Sequence, residues 1–490
     1  MKKILISFII TFCFISSNSQ SYYGQSWLMG YMGIYTKYTN NNYTFDSTLV
    51  SYNTLTPFVH GKSNICDSNG NVRLISDGFN IYDRNGFVIE NGDTLVDKYH
   101  YGLTSGSSYL TQSSIFLPMD SGKCYFINPD VTPYMIDSIW SKISVLKKAP
   151  FDQLLYNEID MYANNGKGKV TKRMQKLLDS VEISKTQMMA CRHGNGKDWW
   201  LLKMAQDSND VYTFLVTQDS IYNKGKQKMP FSLVSHYDNI GQMMFNTEGD
   251  KMITGKNDFE SEFFMADFDR CYGTLSNYEK IKVPIQNSAF GLDSSLFGLC
   301  YSPNGKFIYV SKYDHLLQYD VQDKTWFYIG FRDTTDAVFQ GYGNMYVAPD
   351  GKLYIGNWHG FSKQMSVIEN PNAKGIACNF CKRCFRSPKI IDGILTDPPC
   401  MPNYSLGAKT CYPQSNEELV MKNEELVVYP NPASTKIVVR CRMSDVSKQL
   451  YNSIGQLVLS TKENEIDVRN LNSGMYYLKV GNQTKKVVVE

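Results

Sequence analysis

Hydrophobic residues in most of this chain occur in short runs, and a glycine-containing turn precedes each run. Examples are SNGNVRLIS (68–76), PNGKFIYVS (303–311) and PDGKLYIGN (349–357). Asn-Gly and Asp-Gly pairs readily adopt the positive φ values of tight hairpins. Alternating or continuous apolar runs of this length are typical of half-buried or fully buried strands. Six glycines occupy the turn position: Gly70, Gly122, Gly196, Gly249, Gly305 and Gly351.

These turns recur about every fifty residues, which is the size of a propeller blade made of several short strands. A single small sheet cannot bury both of its faces, but sheets packed around an axis can, and they leave only short edges. We therefore predict an all-β fold with a β-propeller of about seven blades, and six or eight blades also fit. Residues 21–62 and the chain after Gly360 would provide the closing blade.

The longest interval, between Gly122 and Gly196, has a different pattern. Residues 171–184 place Met174, Leu177, Leu178 and Val181 at helical spacing with charged residues between them. One interpretation is a short helix inserted between blades. The other is a pair of strands joined by a long loop, and the sequence does not decide between them.

The two ends of the chain differ from this body. Lys2 and Lys3 precede an apolar run over 4–15 that is too short to span a bilayer, so we predict a signal peptide over 1–19. Phe12 disfavours lipid attachment at Cys13 because a small residue is expected before a lipoprotein cysteine. We assign 20–414 to the propeller, with a cysteine-rich loop near 376–411, and the acidic segment 415–425 to a linker.

Residues 426–490 form the last predicted domain. Short β-branched runs alternate with turns there, which predicts a small Ig-like β-sandwich. Two prolines, Pro430 and Pro432, interrupt the first of these runs. Proline cannot donate to a sheet, so we expect one proline to end a strand and the other to lie in the following turn.

Four stretches of this domain, VVYPNPAST, YNSIGQLVLS, LNSGMYYLKV and KKVVV, resemble the type A C-terminal sorting domain of the Bacteroidetes type IX secretion system. The resemblance implies a route through the periplasm and then across the outer membrane to the cell surface or the medium. It implies the secretion machinery as a partner, and surface lipopolysaccharide as a possible attachment. The residues that carry the sorting motif are Tyr429, Pro430, Asn431, Pro432, Ala433, Gly455, Leu471, Gly474 and Tyr476.

The body also resembles a family. CDSNGNVRLISDGFNIYDRNGFVIENGDTL (66–95), CRHGNGKDWWLLK and SVIENPNAKGIACNF are similar to the propeller-like N-terminal region of large Bacteroidetes surface proteins, some of which carry gliding-associated tails. The resemblance covers roughly residues 55 to 380. It implies the propeller, and it assigns no catalytic residues.

Charge and motifs restrict the possible functions. The formal net charge is only +3 and is not concentrated in a basic block, so nucleic-acid binding is not expected. The sequence contains neither an H-E-x-x-H zinc motif nor a G-x-S-x-G nucleophile elbow. Candidates for a ligand site in a central funnel are His193, Asp198, Trp199, Trp358 and His359. We favour a structural role for them, in blade-corner turns and between blades.

The cysteines after residue 376 invite two interpretations. The spacing C-x-x-C-x-x-C is found among iron–sulfur ligands, but an exported protein passes through an oxidising compartment in which disulfides form. We therefore predict no metal and no cofactor, and we expect disulfides, with pairing left open, among Cys378, Cys381, Cys384, Cys400 and Cys411.

These observations leave two hypotheses for function. We favour a non-catalytic, secreted or cell-surface propeller that binds an unknown glycan or protein, or acts as a scaffold. The alternative is a secreted hydrolase or lactonase with its site in the central funnel. Convergent carboxylates or histidines in the funnel would favour the enzyme, whereas a funnel lined by Tyr, Ser and Asn would favour binding.

Overall fold

The computed structural model divides the chain into two compact units, Met1–Thr410 and Cys411–Glu490. The residues that it describes are 22–30, 33–39, 42–46, 54–146, 148–206, 209–231, 241–256, 261–285, 296–332, 341–358, 362–386, 395–411, 426–440, 447–480 and 483–490. The predicted signal peptide (1–19), the predicted linker (415–425) and His359 lie outside these ranges. Among the helices in the described ranges, none is long and apolar enough to cross a bilayer.

The first unit is built from antiparallel sheets, as the sequence predicts for an all-β fold. Sheet A contains β1 (Ser26–Met29), β2 (Ile34–Thr39) and β3 (Asn42–Asp46), and sheet B contains β4 (Ser63–Cys66), β5 (Val72–Ser76) and β6 (Ile81–Asp83). Sheet C has seven strands: β7 (Ile115–Pro118), β8 (Lys123–Asp130), β9 (Phe151–Asp160), β10 (Lys169–Arg192), β11 (Trp199–Ala205), β12 (Asp210–Val216) and β13 (Ile221–Lys228).

Three four-stranded sheets follow, and in each of them the strands are ordered as in the sequence. Sheet D contains β14 (Met243–Phe245), β15 (Lys251–Lys256), β16 (Glu262–Asp269) and β17 (Thr274–Lys282). Sheet E contains β18 (Leu296–Tyr301), β19 (Phe307–Lys312), β20 (His315–Asp320) and β21 (Thr325–Phe331). Sheet F contains β22 (Gly341–Val347), β23 (Leu353–Trp358), β24 (Gln364–Ile368) and β25 (Phe380–Arg386).

Helices in the described residues of this unit are short. They are α1 (Lys98–Leu103), α2 (Pro133–Ser138), α3 (Ile143–Leu146) and α4 (Ala163–Gly166), with single 3₁₀ turns at Tyr22–Gly24, Trp140–Lys142 and Gly375–Cys378. The Asp97 side chain caps α1 by accepting from the Tyr99 N–H, and Thr132 caps α2 by accepting from the Met135 N–H.

The predicted turn glycines all lie in β-hairpin turns. Each joins two successive antiparallel strands of one sheet, and each has a positive φ between 69° and 78°. An L-residue rarely adopts this conformation, which is why glycine recurs there. The six glycines thus lie in hairpins of sheets B, C, D, E and F, with two of them in sheet C.

Strand β10 decides between the two interpretations of residues 171–184. The helix is wrong. Residues 171–184 are strand, as the second interpretation expects, but they lie in the single strand β10 and not in two strands joined by a long loop. The first part of β10 pairs with β9 and its last part pairs with β11. Repeated register shifts interrupt the pairing with β9, and Met174 and Ser180 have positive φ values. Such bulges insert extra residues into one strand. They break the two-residue alternation, and this produced the misleading helical spacing.

Successive sheets of the first unit contact one another. Asn64 of β4 accepts a hydrogen bond from the Leu28 N–H of β1 (2.8 Å), and Ser63 bonds Ser114, which precedes β7 (2.7 Å). Three further bonds connect sheets C to D, D to E and E to F: Gln187 Nε2 to Thr254 Oγ1 (2.9 Å), the Leu299 N–H to Gln242 Oε1 (3.0 Å), and Ser311 Oγ to the Gly343 carbonyl (2.6 Å).

Sheet F then returns to sheet A. The ring centroids of Trp27 and Tyr354 are 5.9 Å apart, and those of Tyr43 and Phe385 are 5.0 Å apart. The Trp27–Tyr354 pair is edge-to-face, and such packing adds about 0.5–1.5 kcal/mol to the burial of the rings. Contacts thus run through all six sheets and connect the last sheet with the first.

The second unit has two antiparallel sheets. Sheet G contains β26 (Val427–Tyr429), β27 (Lys436–Arg440) and β30 (Glu465–Asp467). Sheet H has the strand order β29 (Leu457–Thr461), β28 (Lys448–Asn452), β31 (Gly474–Val480) and β32 (Gln483–Val489). Both sheets contribute buried side chains to one core, including Ile437, Val439, Leu450, Leu478 and Val487.

Candidate functional site

Residues 395–410, which we call the central segment, run beside strands of several sheets. At its start, the Leu395 N–H donates to the Ser362 carbonyl, and the Cys400 N–H donates to the Lys62 carbonyl (3.0 Å). Lys62 directly precedes β4. The segment therefore begins beside the first residues of these strands.

The end of the central segment lies beside the residues that follow β14 and β10. Asn403 donates from Nδ2 to the carbonyl of Thr247, which follows β14 (3.0 Å). The Lys409 N–H donates to the carbonyl of Gly194, which follows β10 (2.8 Å). Between these ends, the buried Tyr404 hydroxyl donates to the Phe116 carbonyl of β7 (2.9 Å). The segment thus makes hydrogen bonds with residues in or next to sheets B, C, D and F.

A buried polar cluster surrounds the start of the central segment. His60 Nδ1 lies 2.7 Å from Asp397 Oδ2, and the side chains are 15 % and 1 % exposed. The other carboxylate oxygen, Oδ1, is buried and has no hydrogen-bond partner among the described residues. The carboxylate fits there because Gly356 has no side chain: a Cβ atom at that position would lie 1.9 Å from Asp397 Oδ1.

Lys62 is the cationic member of this cluster. Its Nζ donates to the Val59 carbonyl (2.8 Å) and to Thr396 Oγ1 (2.7 Å). Complete burial lowers the pKa of Lys62 to about 8, and the nearby carboxylate of Asp397 partly opposes this change. Two aromatic rings flank the cluster: the Trp358 centroid lies 6.0 Å from that of His60 and 4.5 Å from that of Phe297.

A second buried lysine, Lys203 on β11, lies farther along the central segment. Its Nζ donates to the Thr186 carbonyl, and burial lowers its pKa to about 7, with Cys400 exerting a smaller opposing effect. Conversely, burial raises the pKa of the Cys400 thiol to about 12. A thiol with such a pKa is a poor nucleophile, because the thiolate is the reactive form.

A cavity of about 300 Å³ opens beside the end of the central segment. Its walls come from the last residues of β10, β14, β18 and β22, from residues around Trp27, and from residues 401–406. Amide, hydroxyl and phenol side chains supply most of its polar lining: Gln25, Asn246, Thr247, Tyr301, Tyr346, Asn403, Tyr404 and Ser405. Apart from these, the lining is mainly methionine, proline, aromatic and aliphatic, which is typical of pockets that bind small ligands.

Of the predicted funnel residues that the structure describes, His193, Asp198 and Trp199 lie in or next to one hairpin turn. His193 and Asp198 lie in the Gly196 hairpin turn, where the Asn195 N–H donates to His193 Nδ1 and the Asn195 side chain donates to Asp198. Trp199 is fully buried, donates to the Pro118 carbonyl (3.1 Å) and stacks under Arg192. These contacts are those of a hairpin turn and of a buried ring, and a ligand role for these residues stays a prediction.

Two of the predicted candidates lie beside the central segment: Trp199 packs edge-on against Tyr404, with ring centroids 5.7 Å apart, and Trp358 lies beside His60 near the other end. No sequence pattern indicated His60, Lys62 and Asp397, which form the polar cluster near Trp358. His60 and Asp397 are 337 residues apart in sequence, and neither belongs to a recognisable motif. The one indication in the sequence of a buried polar group near this segment was a lysine within an apolar run, as at Lys203.

The cysteine prediction is partly right. Cys381 and Cys384 form a disulfide, and Cys411 is also disulfide-bonded. Cys378 and Cys400 are free thiols, which corrects the prediction for these two. Both are buried, Cys378 beneath the end of β24 and Cys400 beside Lys62, so they contribute to packing as small apolar side chains.

One group of possible metal ligands occurs among the described residues: Glu369 with Cys381 and Cys384. Both sulfur atoms of this group are joined in the disulfide. A disulfide sulfur cannot act as the thiolate that binds zinc or iron. This group therefore does not define a metal centre.

The sorting-motif residues mainly shape the second unit. Ala433 is buried, its N–H donates to the Val488 carbonyl (2.9 Å), and its carbonyl accepts from the Glu490 N–H (2.9 Å). Tyr476 is buried, and its hydroxyl donates to the Asn472 carbonyl (2.8 Å). The expected roles of the prolines are consistent with the structure: Pro430 follows β26, and Pro432 lies in the turn before β27.

Gly455 and Leu471 are also explained by the fold. Gly455 has φ 81° in the turn between β28 and β29, and the partly buried Leu471 packs on the core. The Leu471 N–H donates to the Val468 carbonyl (3.0 Å), and Gly474 begins β31. Tyr429, at the end of β26, pairs with Val438.

Comparison with known proteins identifies the second unit. Residues 427–490 match the family model described as "Secretion system C-terminal sorting domain". The chain is therefore a secreted protein that carries its own sorting signal at the C-terminal end. It is a cargo of the type IX secretion system, and the sorting domain implies interaction with that machinery and export to the cell surface or the extracellular space.

No curated protein matches this chain. Solved structures with some similarity include a putative 6-phosphogluconolactonase from Bacteroides uniformis, with 13% identity, a TM-score of 0.34 and coverage of 74% of this chain and 87% of that one. Periplasmic gluconolactonase PpgL from Pseudomonas aeruginosa has 12% identity, a TM-score of 0.36 and coverage of 78% and 90%.

The Cps50 (Swd1) β-propeller domain of Myceliophteria thermophila shares 9% identity, with a TM-score of 0.29 and coverage of 76% of this chain and 98% of that one. All three TM-scores are too low to carry a conclusion about the fold or activity of this protein.

Proposed function

We propose that the first unit is a seven-bladed propeller. The connected sheets A, B, D, E and F would each be one blade. Sheet C would be two blades, joined because the long strand β10 ends one blade and begins the next, as its pairing first with β9 and then with β11 suggests. On this view the central segment occupies the propeller axis. An Ig-like class for the second unit remains a prediction.

The exported body then acts outside the cell as a non-catalytic binding, adhesion or scaffold protein. The predicted signal peptide takes it into the periplasm, the sorting domain directs it across the outer membrane, and the body is released or attached to surface lipopolysaccharide. Deletion of residues 426–490 followed by cell fractionation tests this route: the truncated body should stay in the periplasm. Its appearance in the medium would contradict the proposal.

One observation carries the binding role. The cavity beside the central segment offers tyrosine, asparagine and serine side chains. In the proposed propeller, the central segment would occupy space in the funnel that an enzyme would need. Such groups hold a ligand by hydrogen bonds and apolar contact, and they do not have to gain or lose a proton to do so. A glycan or an exposed protein side chain is the ligand class that this lining suits.

Glycan-array and protein pull-down experiments with the exported body test this role. Val347→Trp would fill part of the cavity and should reduce binding at least tenfold, because Val347 lines it at the end of β22. Thr325→Trp, on exposed β21, is the matched control and should bind normally. Equal binding by both variants would show that the cavity is not the binding site.

The His60–Asp397 pair favours the second candidate, a secreted hydrolase or lactonase. The carboxylate can hold the imidazole in one tautomer, so that Nε2 could accept a proton from water. A panel of lactones and esters, assayed with the exported body and with His60→Gln, tests it. Hydrolysis that is lost in this variant and retained in His193→Gln would support the enzyme. Absence of hydrolysis by the wild-type body would reject it.

A further inference from the structure

The sorting domain carries an exposed apolar surface that its motif residues do not explain. On the outer face of sheet H, Leu457 pairs with Tyr451, and Tyr451 pairs with Tyr477, so that three strands place these side chains in one row. Met475 lies next to Tyr477 on the same face of β31. Leu457 is 51%, Met475 46% and Tyr477 41% exposed, and Tyr451 is half-buried. We call these four residues the apolar strip.

The alternation of β31 shows that the strip is separate from the core. Tyr476, Leu478 and Val480 point inward and are buried, whereas Met475, Tyr477 and Lys479 point outward. A register shift between β28 and β29 places Leu457 opposite Tyr451 on the outer face, although Leu459 packs toward the core. The bulge thus brings one more apolar side chain to the surface.

The next row on the same face is polar. It contains Ser460, Gln449, Lys479 and Thr484 in register. Lys486 lies directly across from Tyr477, and Lys479 lies two residues beyond it on β31, so two exposed cations flank the strip on one side. A surface that fits here is apolar at its centre and carries carboxylates at that edge.

We propose that the apolar strip is the surface by which a protein component of the type IX export machinery recognises this domain. The domain is a sorting signal, so the export machinery must bind some part of its surface. Several residues of the sorting motif are unsuited to this, because Ala433 and Tyr476 are buried and the Asn431 side chain is bonded to β32. The strip remains accessible. This inference rests on the export route and does not depend on what the first unit binds.

A double variant of the full-length chain, Leu457→Glu with Tyr477→Glu, tests the proposal in secreting cells. We expect the protein to accumulate in the periplasm and its extracellular amount to fall at least tenfold. Thr484→Glu adds a carboxylate to the same face outside the strip and should be exported normally. Export of the double variant at the wild-type level would overturn the proposal.

A second measurement separates recognition from folding. A photo-crosslinking phenylalanine analogue at position 477 should form a crosslink to an export-machinery component in intact cells, and Leu457→Glu in the same chain should abolish it. Crosslinks that form only to the first unit of the same chain, or to a second copy, would overturn the proposal and assign the strip to that contact.

Discussion

The side chain of Asn431 bonds the last strand of the protein through both of its polar atoms. Nδ2 donates to the Lys486 carbonyl (2.8 Å), and Oδ1 accepts from the Val488 N–H (2.7 Å). These bonds hold β32 against the turn that begins the sorting motif, and the adjacent Ala433 continues the pairing. The motif therefore joins the first and last parts of the domain.

Asn431→Ala should destabilise the sorting domain by about 1–2 kcal/mol, because two hydrogen bonds to the backbone are lost at a partly solvated site. Urea unfolding of the full-length protein, followed by a probe in the second unit, measures this change. Asn472→Ala is a control whose side chain makes no described bond to β32. Equal stability of the two variants would show that the turn does not hold the strand.

Gly356→Ala should loosen the central segment, because the new Cβ would lie 1.9 Å from a carboxylate oxygen of Asp397. Crowding of a packed interior typically costs about 1–3 kcal/mol. Limited proteolysis, read at residues 395–410, should show faster cleavage. Gly407→Ala lies in the same segment, where an added Cβ would meet no heavy atom within 4 Å, and should behave as wild type. Unchanged cleavage of Gly356→Ala would argue against close packing there.

The sequence predicts the local turns and motifs of this protein better than its contacts between residues far apart in the chain. The hairpin glycines and the sorting motif depend on neighbouring residues, and their signals can be read directly. The bulges of β10 disturb the alternation of inward and outward side chains, so the strand has the apolar spacing of a helix in the sequence. The His60–Asp397 contact depends on the path of the central segment between distant strands, and no local pattern specifies that path.

The cysteines give a chemical test of the fold. In the folded protein without reductant, a maleimide reagent should leave Cys378 and Cys400 unmodified because both are buried. After unfolding without reductant both should react, whereas Cys381 and Cys384 should react only after reduction. Peptide mass spectrometry reads out each site. Labelling of Cys381 before reduction, or protection of Cys400 after unfolding, would contradict these assignments.

Lys203→Met should stabilise the protein near neutral pH, and the gain should shrink as pH rises. Burial lowers the pKa of Lys203 to about 7 in the folded protein, against 10.5 for an ordinary lysine. Between these two values the unfolded chain binds more protons than the folded one, so the wild type gains stability as pH increases. Below about pH 7 the cost of burying the charge is fully present, and methionine removes it.

Urea unfolding of both proteins from pH 6 to pH 10 measures this difference, which we expect to be on the order of a few kcal/mol at the acidic end. Lys197→Met, at an exposed turn position, is the control and should give a small difference with little dependence on pH. A constant difference between Lys203→Met and the wild type across the range would mean that Lys203 titrates as an ordinary lysine. The pH dependence is therefore a direct measure of how completely β11 and the central segment exclude water from this side chain.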